Sequence, residues 1–288
     1  MQPPDIDKGP CWLQAHKAAT ARDMKTVLIL LLLSLGASLL LNTVWLAGRT
    51  FAQQQRPQPR LHTASAFLRE WAAALWMIVG MPLALLPHGP RPALRELDGH
   101  PPVLLIPGYA LTRVMMWPLA TYLRYRGRWV WAINNPIFED DLPTFAAHAR
   151  DAADELRRQS GADQIDIIGH SMGGLVAAWY IQHLGGAAHV RRLVTLGTPW
   201  AGTMMAIFSL GRQGRSLRPD SAVVESLDGF QHDTVAIWSQ EDCVVLPTSS
   251  AVPAHARAVE VADVGHLDLL QNASVMRAVR DALGAAPS

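Results

Sequence analysis

Short apolar runs alternate with longer amphipathic segments from about residue 99 onward. The runs are too short for helices and are bounded by glycine, proline or polar residues, which is typical of buried strands. The longer segments repeat apolar positions at helical spacing, and several end at a glycine. The predicted strands are Val103–Ile106, Trp129–Ile133, Gln164–Ile168, Arg192–Leu196, Thr234–Trp238 and Ala258–Ala262, and the predicted helices are Met115–Arg126, Leu142–Ser160, Met172–Leu184 and Asp268–Leu283.

This alternation predicts an α/β domain over residues 99–288. Continuous apolar strands separated by helices form a mostly parallel sheet, here of about six strands, with helices on both faces. Ligands bind such sheets at the carboxyl ends of the strands. Reactive side chains are therefore expected just after each strand.

The N-terminal region carries an uncharged run of 23 residues, Thr26–Gly48, after a tail of residues 1–25. A helix of this length spans a bilayer at 1.5 Å rise per residue, and Lys25 and Arg49 flank it. A cleaved signal peptide has a shorter apolar region, and Trp45 occupies a position where cleavage requires a small residue. The run predicts one transmembrane anchor; a cleaved signal and a buried core helix are the alternatives. Basic residues on its two sides do not decide its orientation.

Residues 49–70 contain a polar, proline-containing stretch, which predicts an exposed linker. A second apolar segment follows at 71–90. Its apolar part, Trp71–Leu86, contains Gly80 and Pro82 and is short for a membrane span. Two interpretations stay open, a second span or a helix that docks on the domain or lies at the membrane interface.

Composition excludes several classes of protein. Lys plus Arg is 25 and Asp plus Glu is 24, so the basic excess of a nucleic-acid-binding protein is missing. Half of the residues are apolar, which rules out an intrinsically disordered chain. The two cysteines, Cys11 and Cys243, are too far apart for a metal-ligand motif and too few for a disulfide framework.

The third predicted strand leads into Gly169-His170-Ser171-Met172-Gly173, a G-x-S-x-G pattern between a strand and a helix. Small residues are needed two positions before and two after the serine because the backbone and the helix crowd that turn, which presents the hydroxyl at the top of the sheet. This context predicts Ser171 as a nucleophile. A serine that only caps the helix is the alternative.

A serine nucleophile requires a base and an acid that orients the base, in the chain order serine, acid, histidine. His266 is the downstream histidine that directly follows a predicted strand, so it is the predicted base. Glu241 and Asp242 both follow the fifth strand. Asp242 is preferred because the shorter acid is commoner in this loop, and Glu241 remains the alternative.

The oxyanion of an acyl-transfer intermediate requires backbone N–H donors. One is expected from Met172, which directly follows the nucleophile. The other is expected from Tyr109 in the loop after the first strand, where Gly108 permits the turn.

Motifs at the strand ends are Leu105–Tyr109, Ile167–Gly174, Leu193–Pro199 with Gly202–Thr203, Glu241–Asp242 and Gly265–Leu267. Together they resemble bacterial triacylglycerol lipases and related esterases of the α/β-hydrolase fold, over residues 100–285. In that family the matching serine, aspartate and histidine form the catalytic triad. The chain departs from many relatives in having Pro107-Gly108 where they have His-Gly, and in lacking a predicted strand pair before the first strand. The resemblance implies no organic cofactor, and no calcium ligands can be matched.

The segment of residues 200–230, between the fourth and fifth strands, is predicted to cover an acyl pocket; an ordinary packed helix is the alternative. Met204, Met205 and Phe208 in this segment are candidate substrate-binding residues, because flexible apolar side chains adapt to varied acyl chains. Trp117, near the first loop, is a further candidate, with a role in the core as its alternative.

Together these features predict a membrane-anchored serine hydrolase that cleaves carboxylic esters of lipid or other apolar acyl substrates through an acyl-enzyme. With the bacterial resemblance, the anchor places it in an inner membrane. The expected partners are the ester substrate and the membrane, without nucleic acid, metal or organic cofactor. An acyltransferase with the same triad and a non-catalytic, membrane-tethered binding module are the alternatives.

Overall fold

The computed structural model describes residue 36 and residues 63–94, 99–135 and 141–284. The predicted N-terminal tail, the predicted anchor apart from Gly36, and residues 49–62 of the predicted linker lie outside the described residues. The predicted α/β domain is described for most of its length.

A six-stranded parallel sheet forms the centre of the domain. Its strands are β1 (Val103–Ile106), β2 (Val130–Ala132), β3 (Ile165–His170), β4 (Val190–Leu196), β5 (Thr234–Trp238) and β6 (Arg257–Glu260), in the order β2-β1-β3-β4-β5-β6. The predicted sheet is confirmed. The chain passes from β1 to one edge of the sheet and then returns to the other side of β1. The carboxyl ends of β1 and β3 therefore lie at a topological switch point, where open α/β sheets bind ligands.

The helices are α1 (Thr63–Gly80), α2 (Trp117–Tyr125), α3 (Leu142–Ser160), α4 (Met172–His183), α5 (Gly211–Arg215), α6 (Ala222–Ser226) and α7 (Ala273–Leu283). The bounds of α3 match the prediction because both of its ends are encoded locally. The Asp141 carboxylate accepts the amide of Thr144 at 3.0 Å, and Gly161 ends the helix at a φ of 70°.

The predicted helix Asp268–Leu283 is wrong at its start. A short 3-10 helix covers Asp268–Leu270, and α7 begins only after Asn272. The Asn272 side chain accepts the amide of Ser274 and so caps α7. The loop after β6 is consequently longer than predicted, and a separate turn lies between His266 and α7.

Two apolar clusters cover the two faces of the sheet. Successive side chains of a strand point to opposite faces. Leu104 and Ile106 of β1 accordingly pack in the cluster that includes α3 and α4, whereas Val103 and Leu105 pack in the cluster that includes α2 and α7. Burial on both faces explains why the strands have continuous apolar sequences.

Helix α1 packs against the second of these clusters. It begins inside the stretch predicted as a linker, and a 3-10 helix, Met81–Leu85, follows it. Ala73 and Ala74 are buried, and the Trp76 indole donates to the carbonyl of Val114 at 3.2 Å. Among residues 63–94, 99–135 and 141–284, no helix is both long and apolar enough to cross a membrane.

Candidate active site

Ser171 lies in a strained turn between β3 and α4, with φ 53° and ψ −125°. The glycines around Ser171 are required because a side chain at either position would overlap neighbouring backbone atoms. A Cβ at Gly169 would lie 2.5 Å from the backbone of Gly174, and one at Gly173 would lie 2.2 Å from the carbonyl oxygen of Ile106. The backbone strain is held by close packing on both sides, as expected where a turn presents a reactive side chain.

His266 and Asp242 are in direct contact. Nδ1 of His266 lies 2.7 Å from Oδ2 of Asp242, and both side chains are buried. Because a carboxylate only accepts, Nδ1 carries the proton of this bond. The other carboxylate oxygen accepts the amides of Val244 and Val245 at 2.8 and 2.9 Å. The pair is thus fixed in position and in tautomer.

Glu241, the alternative acid, points to different partners. Its carboxylate accepts the hydroxyl of Ser239 at 2.7 Å and the amide of Asp263 at 3.1 Å. It therefore joins the loop after β5 to the loop after β6. The structure places Asp242, rather than Glu241, against His266.

The two histidines at the site have opposite pKa shifts. Burial opposes a charge on His266, but the carboxylate of Asp242 and its hydrogen bond outweigh that effect and raise the pKa of His266 above its usual value. Burial and the charge of His266 lower the pKa of His170 to about 3. His170 is therefore neutral, and its Nε2–H donates to the carbonyl of His266 at 2.9 Å.

Gly197 and Thr198, which follow β4, explain the Gly-Thr-Pro motif. Gly197 has a φ of 55°, and a Cβ there would lie 2.8 Å from Oδ2 of Asp242. The Thr198 hydroxyl donates to the carbonyl of Ser171 at 2.9 Å. The motif leaves room for the acid and fixes the serine turn.

The loop after β1 passes close to the serine. A Cβ at Gly108 would lie 2.8 Å from Cβ of Ser171. The Asn135 side chain donates to the carbonyl of Gly108 at 3.0 Å and accepts a hydrogen bond from Gln213 at 2.9 Å. Since the C=O and N–H of one trans peptide point in opposite directions, Asn135 also fixes the direction of the Tyr109 amide. Met172 begins α4, where the first amides have no acceptor within the helix.

A cavity of about 270 Å³ opens at the carboxyl ends of the strands, bordered by both Ser171 and His266. Its apolar wall includes Ala74, Met77, Leu111, Met205, Leu217 and Val245. The geometry thus puts a hydroxyl and an imidazole beside an apolar space. Such a space is suited to the acyl part of an ester.

Three of the four candidate pocket residues lie elsewhere. Met205 borders the cavity, whereas Met204 and Phe208, at 45% and 66% exposure, do not. Trp117 borders a separate depression, with its ring 6.3 Å from that of Trp76. The role of Met204, Phe208 and Trp117 in binding a substrate remains a prediction.

Residues 200–230 form a 3-10 helix, Met204–Phe208, together with α5 and α6. Met205, Ser209 and Leu217 of this segment line the cavity. The Tyr109 hydroxyl donates to the carbonyl of Leu210 and accepts its amide, both at 2.9 Å. The segment is therefore attached to the loop after β1.

Sequence reasoning missed three polar residues at the site: Asn135, Gln213 and Glu70. Asn135 follows β2, so its place at a strand end was a usable signal. Gln213 and Glu70 carry no local signal, because their partners are distant in sequence. Glu70 of α1 accepts the backbone amide of Leu267, 197 residues away. No group of three or more metal-ligating side chains occurs within the described part of the chain.

Comparison with known proteins agrees with this architecture. Residues 101–215 match the family described as alpha/beta hydrolase fold. A lipase from Bacillus licheniformis in its mature form has a TM-score of 0.60 and 14% identity, covering 67% of this chain and 96% of that one. Lipase B of Aspergillus fumigatus has a TM-score of 0.57 and 18% identity, covering 69% and 56%. An esterase from Exiguobacterium antarcticum has a TM-score of 0.52 and 13% identity, covering 69% and 100%. The chain therefore has the α/β-hydrolase fold, and the resemblance to lipases and esterases indicated by its motifs extends to its three-dimensional structure.

Proposed function

We propose that the protein is a membrane-anchored serine hydrolase that cleaves carboxylic esters of lipid or other apolar acyl substrates. One observation carries this proposal: Ser171 and the Asp242-bound His266 border one apolar cavity at the switch point of the sheet. The fold and its lipase and esterase neighbours support hydrolysis in general. The identities of the nucleophile, base and acid are part of the proposal.

Acylation begins with attack of the Ser171 hydroxyl oxygen on the ester carbonyl. Nε2 of His266 takes the hydroxyl proton, because Nδ1 already holds the proton shared with Asp242. The new C–O bond pushes the carbonyl electrons onto oxygen, which the amides of Met172 and Tyr109 stabilise. Nε2–H then protonates the leaving alcohol, and an acyl-serine remains.

Deacylation repeats these steps with water as the nucleophile. His266 removes a proton from water, the hydroxide adds to the acyl carbonyl, and the Ser171 oxygen leaves with that proton. An alcohol in place of water would make the protein an acyltransferase.

The membrane part of the proposal rests on the uncharged run Thr26–Gly48 and on exposed apolar side chains of the covering segment, residues 200–230, and of the turn after α1. Ile207 and Leu210 of the covering segment are 70% and 76% exposed, and Leu85, after α1, is 88% exposed. Apolar surface of this kind is suited to contact with lipid. We propose that the second apolar segment docks on the domain, since Ala73 and Ala74 are buried there.

The test combines fluorophosphonate labelling with hydrolysis of nitrophenyl esters of increasing acyl length. Wild-type protein should be labelled at Ser171 and should prefer apolar acyl groups. Ser171→Ala should lose labelling and hydrolysis while its melting transition stays intact. Transfer of the acyl group to an added alcohol in preference to water would identify an acyltransferase. Absence of labelling in folded wild-type protein would favour a non-catalytic binding module.

A further inference from the structure

Helix α1 inserts a carboxylate directly behind the base of the proposed triad. The side chain of Glu70 is 5% exposed. Its Oε1 accepts the amide of Leu267 at 2.7 Å, and its Oε2 accepts the amide of Asp268 at 2.9 Å. These are the two residues that follow His266, so the contact fixes the backbone that carries the imidazole.

The turn after His266 depends on this contact for its hydrogen bonds. The 3-10 helix Asp268–Leu270 begins there, and the first amides of a helix have no acceptor within it. Glu70 supplies the acceptors for two of them from a distant part of the chain. A buried amide that loses its acceptor is costly, so the turn would rearrange without Glu70.

Two neighbouring features show that the loop is fitted to α1. A Cβ at Gly265 would lie 2.7 Å from Oε2 of Glu70, so a glycine directly before His266 makes room for the carboxylate. Arg69, adjacent in the helix, pairs with Asp268 at 2.8 Å and donates to the carbonyl of Asp263. Consecutive residues of α1 thus hold both ends of the loop.

Glu70 also lies within the electrostatic reach of the proposed base. Burial raises the pKa of Glu70 to about 7. The hydrogen bonds from the two backbone amides lower this pKa, but burial has the larger effect. The charged groups that face it are His266 and Asp242, with the Arg69–Asp268 ion pair beside them. An ionised Glu70 favours the protonated form of His266 and so contributes to its raised pKa.

We propose that Glu70 is a positioning residue for His266, supplied by a helix outside the region that matches the hydrolase family. This inference rests on the proposed function, because positioning matters only if His266 acts as a base. It makes α1 part of the active site rather than a connection between a membrane anchor and an independent enzyme.

The test uses the full chain in detergent and three variants. Glu70→Leu removes both acceptors, and Glu70→Gln keeps one acceptor oxygen but loses the charge. Glu155→Gln makes the same change on the surface of α3, where the carboxylate pairs with Arg158 and does not border the cavity, and serves as the matched control. Melting transitions establish that each variant is folded. The measurements are hydrogen exchange at the amides of Leu267 and Asp268, the rate of fluorophosphonate labelling, and kcat and KM for a nitrophenyl ester.

We expect Glu70→Leu to lose protection at both amides and to lower the labelling rate and kcat by about 100-fold, the size of effect expected when a catalytic group shifts by about 1 Å. KM should change less than kcat, because Glu70 borders the cavity but its apolar wall remains. Glu70→Gln should fall between Glu70→Leu and the wild type. It should also shift the acidic limb of the labelling rate to lower pH, because His266 loses a stabilising negative neighbour. Glu155→Gln should match the wild type.

Different results would refute the positioning role of Glu70 and the proposed ester hydrolysis. Wild-type labelling rate and kcat in folded Glu70→Leu would overturn the positioning role alone. If Glu70→Leu does not fold, unchanged amide protection and an unchanged pH profile in Glu70→Gln would overturn it. A wild-type protein that is labelled but hydrolyses no ester would refute ester hydrolysis, while the labelling rates would still decide the role of Glu70. A folded wild type that is never labelled would refute both.

Discussion

Replacing Asp242 by asparagine should inactivate the enzyme by changing a tautomer rather than by moving a group. Oδ1 of Asp242 accepts two backbone amides, from Val244 and Val245, so an asparagine at this position keeps its oxygen there. Its NH₂ group then faces Nδ1 of His266 at the site of the present 2.7 Å contact. Two donors cannot bond to each other, so the imidazole proton moves to Nε2. Nε2 can then no longer accept the proton of Ser171.

Loss of the correct tautomer is expected to lower kcat about 10⁴-fold, equivalent to about 5.4 kcal/mol of transition-state stabilisation. The assay compares kcat for a nitrophenyl ester in Asp242→Asn, Glu241→Gln and the wild type. Glu241→Gln removes the neighbouring charge but keeps an acceptor for Ser239, so it should remain active. An inactive Glu241→Gln beside an active Asp242→Asn would refute the assignment of the acid.

Three further predictions follow from the site and its surroundings. Since His266 must be neutral to act as a base and its pKa is raised, kcat/KM should fall with decreasing pH at a value above the ordinary histidine pKa of 6.5, as measured by a pH–rate profile. Gly197→Ala should destabilise the protein by about 1–2 kcal/mol through its positive φ and also lower kcat, because the new Cβ strikes the proposed acid. Gly161→Ala, at the end of α3 with a φ of 70° and no atom within 4 Å of the added Cβ, should show the stability loss without the loss of kcat. Full-length protein should stay in the membrane pellet after a carbonate wash. Removal of residues 1–60 should give protein that does not aggregate. Removal of residues 1–98 should cause aggregation, because it exposes the apolar face of the domain that α1 covers. Full-length protein in the soluble fraction with an intact N-terminus would contradict the anchor.

Local sequence signals were sufficient for the sheet and for the places of Ser171, Asp242 and His266 in it, whose catalytic roles remain a proposal. Strand β1 and helix α3 have the predicted bounds, because a continuous apolar run specifies the strand and an Asp cap and a terminal glycine specify the helix. The order of Ser171, Asp242 and His266 along the chain, and their places directly after strands, predicted that they lie at one edge of the sheet. These features depend on a few neighbouring residues each.

The features that were missed depend on contacts between distant segments. Glu70 is a single acid next to an apolar stretch, and its two partners lie almost 200 residues away. Trp117 is close to the loop after β1 in sequence, but its ring lies beside that of Trp76 and outside the cavity. Periodicity gives the spacing of side chains on a helix, whereas packing against a particular neighbour decides the direction in which they face.

Hydrogen bonds join the covering segment, residues 200–230, to the loop after β1, which supplies the proposed oxyanion donor. A movement of this segment that admits a substrate would therefore also affect the proposed donor. Tyr109 holds Leu210, and Gln213 holds Asn135, which in turn fixes the peptide of the proposed oxyanion donor. A substrate that keeps the segment displaced would break these bonds and turn the donor away. Esters too bulky for closure would then bind without reacting, so the enzyme would discriminate by turnover rather than by affinity, and poor substrates would act as competitive inhibitors.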